Sequence, residues 1–412
     1  MLNFFSSGVC APRGFRAGGI HCGIRRNQSK PDLALIAGDV PCQAAAVYTK
    51  NIVKAAPLLV TKEHLRAGAA RAIVVNSGNA NACAPDGEVN ALRMCRAAAA
   101  ALGLAAEDVL VASTGVIGQR LNAEVIENAL PRLTAGLSSG AEGSAAAARA
   151  IMTTDTVPKE FAVECEIGGV SVRIGGIAKG SGMIHPNMGT MLCFLTTDCA
   201  ISGVLLDRAL RSAVRESFNR ISVDGDTSTN DMAVLLSSGL AGNPELTAED
   251  SDYAVFDDAL CALCVKLARA MAADGEGAKH LITCKVSEAE TEAKAEAIAK
   301  SVISSSLFKA AVFGEDANWG RVLCAMGYAG QPFNPDRVDV SFRSAAGEIA
   351  VCRQGRGLAF DEALAKTVLH ESEVEVLVSL GEETAPGDFG WCECWGCDLT
   401  YDYVKINGDY RT

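Results

Sequence analysis

Thr190 is the residue whose setting gives it the most chemistry to do. It closes the run Lys179-Gly180-Ser181-Gly182-Met183-Ile184-His185-Pro186-Asn187-Met188-Gly189 and opens Met191-Leu192-Cys193-Phe194-Leu195. Three glycines, a proline and an asparagine within residues 179–189 exclude a helix or central strand, because they favour unusual backbone angles or lack an amide donor. The apolar run that follows has the pattern of a strand covered on both faces. Thr190 thus stands where a loop becomes a buried strand. A threonine there can simply supply a β-branched side chain. If the Gly189–Thr190 bond were cut, however, Thr190 would carry a hydroxyl nucleophile and a free α-amine. An amine with a pKa of about 8 is partly neutral at pH 7 and can serve as the base. Glycine at 189 also lets the carbonyl be presented in a strained geometry that favours attack by the hydroxyl.

Other groups could cooperate with such a nucleophile. Val109-Leu110-Val111-Ala112-Ser113 reads as a strand that runs into Thr114-Gly115-Val116-Ile117-Gly118. A hydroxyl followed by a glycine amide can aim two donors at one oxygen, as an oxyanion hole requires, although Thr-Gly is also a common turn. Asp274-Gly275-Glu276-Gly277-Ala278 presents a carboxylate between two glycines at a helix stop, with a solvated surface role as the alternative. Thr153-Thr154-Asp155-Thr156-Val157-Pro158-Lys159 can cap and end a helix. Asp224-Gly225-Asp226-Thr227-Ser228-Thr229-Asn230-Asp231 suggests calcium, but Leu235 stands where an EF-hand loop needs its distal glutamate. A polar active-site loop followed by an apolar helix is the preferred reading. Cys392-Glu393-Cys394-Trp395-Gly396-Cys397 is dense enough for zinc but lacks a second ligand pair, so no metal is expected. There is no complete dinucleotide fingerprint, Walker sequence, G-x-S-x-G elbow or HExxH.

The elements that must position these groups are legible as short strands alternating with helices. Leu33–Ala37, Ala45–Thr49 and Ala72–Val75 read as strands, the last ending in the polar turn Asn76-Ser77-Gly78-Asn79-Ala80-Asn81. Helices are expected near 62–69, 88–102, 122–130, 141–152, 205–218 and 247–273, and a hairpin through Gly168-Gly169 leads to Lys179. Cys261 and Cys264 fall in the last of these helices as small hydrophobes. From Leu281 a second α/β region begins. Ser287-Glu288-Ala289-Glu290 reads as a capping box, Asp316–Arg321 and Asp361 open further helices, and strands are expected near 338–340, 348–351 and 373–378. The patterned end Tyr401–Thr412 reads as a terminal strand docked in a sheet.

At 412 residues the chain is longer than one core usually serves, which implies two or three domains. Its formal charge of −12 argues against nucleic acid or an anionic membrane as the main partner. Neither a signal-peptide core nor a membrane-length apolar run is present, so the 16 cysteines are expected to stay reduced in the cytoplasm.

Taken together, the segment around Thr190, the Thr114-Gly115 pair and the patterned end resemble the ornithine acetyltransferases, the bifunctional glutamate N-acetyltransferases of arginine biosynthesis, from about Gly8 to Thr412. His185 and Gly189 stand where that family usually has alanine, and Lys279-His280 where it has Thr-Lys; neither of the first two removes the hydroxyl. The resemblance implies a mixed α/β protein, with a layered αββα-type self-processing domain and a smaller C-terminal α/β domain. Residues 1–189 would form an alpha fragment. Residues 190–280 would begin the beta fragment and complete the catalytic domain, and 281–412 would form the second domain, whose tail returns to the active site. It implies Thr190 as nucleophile, cleavage at Gly189–Thr190, Thr114 and Gly115 as oxyanion hole, and Thr156, Lys179, Thr190, Glu276, Asn407 and Thr412 as substrate ligands. The implied substrates are N-acetylornithine and glutamate, with no cofactor, acetyl-CoA as a possible co-substrate, and an alpha2beta2 assembly of the two fragments. A hydrolase or aminopeptidase of the same architecture, or a non-catalytic binding protein, is the alternative.

Overall fold

The computed structural model describes residues 2–5, 7–185 and 191–409, so Gly189, Thr190 and Thr412 lie outside the described residues. Two compact units are present, one from residues up to 219 with 226–271, the other from 220–225 with 272–411. In chain order the first part runs β1 (Asn3–Phe5), β2 (Phe15–Ile20), β3 (Leu33–Tyr48), α1 (Ala56–His64), β4 (Ala69–Asn79), α2 (Gly87–Leu102), β5 (Val109–Val116), α3 (Ala123–Ala135) and α4 (Ala141–Ile151). It continues through β6 (Lys159–Ile167), β7 (Val170–Lys179), β8 (Leu192–Thr197), α5 (Gly203–Glu216), β9 (Ile221–Ser222), β10 (Met232–Ser237) and α6 (Ser251–Ala273).

Layering in the first unit follows from one bent strand. The sheet order is β1-β6-β7-β8-β10-β3-β4-β5, with β2 also on β3. β3 pairs with β2 and β4 along its first half and with β10 along its second, and its register against β4 shifts between Ala37 and Cys42. That irregularity turns two expected strands into one strand shared by two layers. Residues of β3, β4 and β5 alternate accordingly. Ala34, Ile36, Ile73, Val75 and Leu110 share a core with Ile177, Leu192, Phe194 and Val234 of the facing layer. Leu33, Leu35, Val74 and Val111 pack against Met94, Ile126 and Leu130 of α2 and α3. On the far side, a Cβ at Gly176 of β7 would lie 3.0 Å from Leu267 of α6, so α6 packs close against that face. The unit is an αββα layered fold.

Two expectations change here. The segment after Asp231 is the strand β10, not a helix: its six residues are all buried, parallel to β8 and antiparallel to β3. An apolar run covered on both faces carries no period, so sequence alone does not separate strand from helix. The helix expected near 62–69 instead begins at Ala56, with Pro57 in its first turn.

The second unit contains β11 (Leu281–Ser287), α7 (Glu292–Ser304), α8 (Ser306–Phe313), α9 (Trp319–Gly327), β12 (Asp339–Ser344), β13 (Gly347–Arg353), β14 (Arg356–Gly357), α10 (Glu362–Leu369), β15 (Glu373–Ser379), β16 (Cys392–Cys397) and α11 (Tyr401–Asp409). Its sheet order is β14-β13-β12-β15-β11-β16-β9. Residues 220–225 belong to this unit because β9 pairs in parallel with β16, so the division does not fall at a single point near 281. The capping box at 287–290 does not cap: Glu288 is left-handed at φ 52°, and the carbonyls of Ser287 and Glu288 accept from Leu380 and Glu382. The cap of α7 is Thr291, whose hydroxyl accepts the Lys294 amide. The aromatic end is the helix α11, not a terminal strand, and the strand that docks is β16 against β11. Strand alternation turns Cys392 and Cys394 into the core while Cys397 faces away from it. Among the described residues no group of three His, Cys, Asp or Glu could hold a metal ion, and no helix is long and apolar enough to cross a membrane.

Candidate active site

Thr114 and Gly115 lie where β5 emerges from the core: Val111 to Ser113 are buried, and Thr114 to Val116 are half-buried. Only glycine fits at 115. Its φ is 130°, and an added Cβ would stand 2.4 Å from the Gly78 carbonyl carbon and 2.6 Å from the Asn79 nitrogen of β4. A net of asparagines holds this corner. Ser113 Oγ donates to Asn76 Oδ1 at 2.6 Å, and Asn76 Nδ2 donates to the Asn79 carbonyl at 2.8 Å. Asn230 Nδ2 donates to the Ala80 and Ser113 carbonyls at 2.6 and 2.8 Å. The result is a hydroxyl and a glycine amide on a strand end braced by uncharged partners, an arrangement suited to meeting developing negative charge.

A second cluster in the same unit is ionic. Lys159 Nζ donates to Asp155 Oδ1 at 2.6 Å, and the Gly180 amide donates to the same oxygen at 2.7 Å. Asp155, Lys159 and Lys179 are all buried. Burial would raise the Asp155 carboxyl, but the Lys179 and Lys159 ammonium groups outweigh it and hold the carboxyl below its usual range. Burial lowers Lys179, with Lys159 adding to the effect and Asp155 and Asp231 opposing it. Lys179 ends β7, where it pairs with Leu192 at the start of β8. Thr156 follows Asp155 as an exposed residue of the turn before β6. The loop that leads toward residue 186 is tied down at Ile184, which bridges to Thr227, and Thr227 Oγ1 donates to the His185 carbonyl at 2.9 Å.

In the second unit Glu276 is buried in the turn after α6, and Asn407 Nδ2 of α11 donates to its Oε2 at 2.6 Å. Gly277 makes this approach possible: at φ 71°, a Cβ there would collide with the Tyr403 nitrogen at 2.7 Å. Asp398 fixes the turn from below, accepting the Lys279 and His280 amides at 2.8 and 3.0 Å and facing His280 Nδ1 at 2.9 Å. A carboxylate with one amide donor on it retains the capacity to accept from an ammonium group.

Thus the structure joins Glu276 to Asn407 and Lys179 to Asp155, and sets Thr114 beside Gly115; the roles expected of Gly189, Thr190 and Thr412 concern positions outside the described residues. Sequence reasoning passed over Asp155, Lys159, Asn230 and Asp398 as individual site residues. Asp155 and Lys159 carried a weak signal in their four-residue spacing within a cluster read as a helix stop. Asn230 and Asp398 reach partners 117 and 118 positions away, which no local pattern reveals.

Comparison with known proteins agrees along the whole chain. The ArgJ family model matches residues 16–412. The Symbiobacterium thermophilum protein named arginine biosynthesis bifunctional protein ArgJ is 52% identical over 415 residues, covering 100% of both chains. The chloroplastic protein of the same name from Oryza sativa subsp. indica is 47% identical, covering 98% of this chain and 87% of its own. Among solved structures, the arginine biosynthesis bifunctional protein of Bacillus halodurans superposes with a TM-score of 0.50 at 44% identity, covering 54% of this chain and 100% of that one. A family model that spans nearly the full sequence, together with relatives near half identity over the same length, leads to one conclusion. The chain belongs to the ArgJ family.

Proposed function

We infer that this protein moves the acetyl group of N-acetylornithine to glutamate, releasing ornithine and N-acetylglutamate in arginine biosynthesis. The observation that carries the reading is the Thr114–Gly115 corner, a hydroxyl and a glycine amide braced at a strand end, in a chain alignable from end to end with bifunctional arginine-biosynthesis proteins. In this reading the Thr190 hydroxyl attacks the acetyl carbonyl while its α-amine takes the hydroxyl proton and returns it to the departing ornithine nitrogen. Thr114 and Gly115 meet the oxyanion. The α-amine of glutamate then attacks the acetyl-threonine ester, leaves as N-acetylglutamate, and restores the hydroxyl. Lys179 suits a substrate carboxylate, Glu276 with Asn407 suits an ammonium group, and Thr156 and Thr412 are assigned to substrate by resemblance. No metal or cofactor has a role in this chemistry. The word bifunctional in the relatives' names supports a second activity, for which acetyl-CoA is the proposed donor.

The active form is proposed to be two fragments, 1–189 and 190–412, paired as an alpha2beta2 assembly. Residues 190–412 make up 54% of the chain, the same share that covers the whole of the solved Bacillus halodurans chain, and this equality of length supports the cut. None of the 16 cysteines is joined in a disulfide among the described residues, which supports a reducing, cytoplasmic setting.

Denatured intact mass and N-terminal sequencing of the wild type and Thr190→Ala test the reading. Two wild-type fragments, the second starting at Thr190, are expected beside one uncut variant. Incubation with N-acetylornithine should then transfer acetyl only when glutamate is present. Acetate release without transfer would assign the protein to the hydrolases instead, and a wild-type chain that stays whole would overturn the nucleophile.

A further inference from the structure

Arg25 is half-buried on the loop of residues 21–32 that joins β2 to β3, and acetyl transfer as set out above gives it no part. Asp32 closes that loop. It is buried, its amide donates to the Ile20 carbonyl at 3.0 Å, and its two carboxylate oxygens accept the Cys22 and Arg25 amides at 2.6 and 2.8 Å. The Asp32 carbonyl in turn accepts the Ser77 amide at 2.9 Å. One residue therefore fastens the backbone of Arg25 to the end of β4, next to Gly78.

From this anchor the Arg25 side chain crosses Gly78. A Cβ at Gly78 would stand 2.8 Å from Arg25 Cγ and 3.4 Å from Arg25 Nε, and the glycine's φ of 97° is one that other residues seldom adopt. Gly78 pairs with Gly115 across β4 and β5, where a Cβ on Gly115 would in turn strike the Gly78 backbone. The Arg25 stem, Gly78 and Gly115 thus follow one another with no Cβ on either glycine to separate them. At its far end Arg25 Nη2 donates to the Met152 carbonyl, where α4 gives way to the turn that carries Asp155 and Thr156. The Ser77 hydroxyl ties the same strand end to the Ala150 carbonyl at 2.7 Å. Arg25 therefore reaches from the Thr114–Gly115 corner to the turn before β6, and its charge also acts on Lys179.

Donors for an oxyanion work only when they stand in place before the charge develops. A long stem laid on bare backbone, with its polar head bonded beyond, is a way to hold them there. We propose that Arg25 is a positioning residue for acetyl transfer: its stem backs Gly78 against Gly115, and its guanidinium fixes that corner relative to the Met152–Thr156 turn. The inference rests on the oxyanion reading of Thr114 and Gly115 above.

The test compares steady-state transfer from N-acetylornithine to glutamate in the wild type, Arg25→Met, Arg25→Lys and Thr114→Ala. Rates are expressed per cleaved chain, counted by denatured intact mass, and thermal unfolding is measured on each protein. Arg25→Met keeps an apolar stem but no donor, and should lower kcat by about 10- to 100-fold with KM within about 2-fold of the wild type. Arg25→Lys keeps stem, donor and charge, and should return kcat to within about 3-fold. Both should unfold at the wild-type temperature. A raised KM at unchanged kcat would make Arg25 a substrate ligand and overturn the positioning role, as would a kcat for Arg25→Met within about 3-fold of the wild type. A slow Arg25→Met that unfolds early and is not restored by lysine would reassign the side chain to structure. Full activity in Thr114→Ala would overturn the reading of the corner itself.

Discussion

The corner around Thr114 and the cluster around Asp155 belong to the same unit, yet they are built on opposite principles. The first is neutral: its geometry comes from a left-handed glycine and from asparagine amides that donate to backbone carbonyls. The second is ionic: one buried carboxylate sits with two buried lysines and accepts a backbone amide besides. A neutral hydrogen-bonded frame costs little to bury and holds donors in place before charge develops. A buried ionic cluster is costly to assemble and sensitive to the loss of any member. The difference predicts that damage to the corner shows mainly in turnover, whereas damage to the ionic cluster shows mainly in stability.

The largest effect should come from Asp155→Asn, which removes the carboxylate set between two buried ammonium groups and should cost about 3–5 kcal/mol in denaturant unfolding. Its pH signature has a definite sign. The folded protein holds the Asp155 carboxyl below its usual range, so the unfolded chain binds that proton more readily. The stabilisation is complete above the ordinary value of about 3.9 and is lost as the pH falls toward the depressed folded value. The wild type should therefore weaken steeply in acid and the variant much less, and equal acid limbs would remove the ionic account. Next, Thr114→Ala should reduce kcat by about 100- to 1000-fold with little change in unfolding midpoint, as the loss of one oxyanion donor does elsewhere. A drop in stability without a drop in kcat would erase the contrast between the two regions.

Asn230→Ala probes the frame behind the corner. It strands the Ala80 and Ser113 carbonyls and should cost about 1–3 kcal/mol, with kcat falling more than the folded fraction accounts for. The smallest effect is expected in the second unit. Asn407→Ala removes one donor from Glu276 on an exposed helix face and should raise the KM for ornithine-type substrates by a few-fold, about 1 kcal/mol, with kcat nearly unchanged.

Much of the layered fold could be read from the chain because alternation and turn residues are local. The hairpin through Gly168-Gly169, the strand entering Thr114 and the helix stop at Glu276 were all expected and are all present. Where the pattern is uniform, local reading loses its footing. Met232–Ser237 is apolar throughout, and only its pairing with β3 and β8 makes it a strand. Ser287–Glu290 has the residues of a cap, but the backbone donors of Leu380 and Glu382 claim its carbonyls.

The site divides in the same way. Residue types alone marked Thr114-Gly115, the carboxylate between Gly275 and Gly277, and the loop-to-strand junction at Thr190, because hydroxyls, glycines and apolar runs declare their chemistry through their neighbours in sequence. The tertiary structure alone decided that Asp155 is enclosed by Lys159 and Lys179, that Asn230 braces a strand end 117 positions away, and that Asp231 is buried level with Met191. The physical reason is that burial and electrostatic environment depend on which segments meet in space. A carboxyl that would be an ordinary solvated charge on an open loop has its proton affinity pulled down or pushed up according to what the fold places around it.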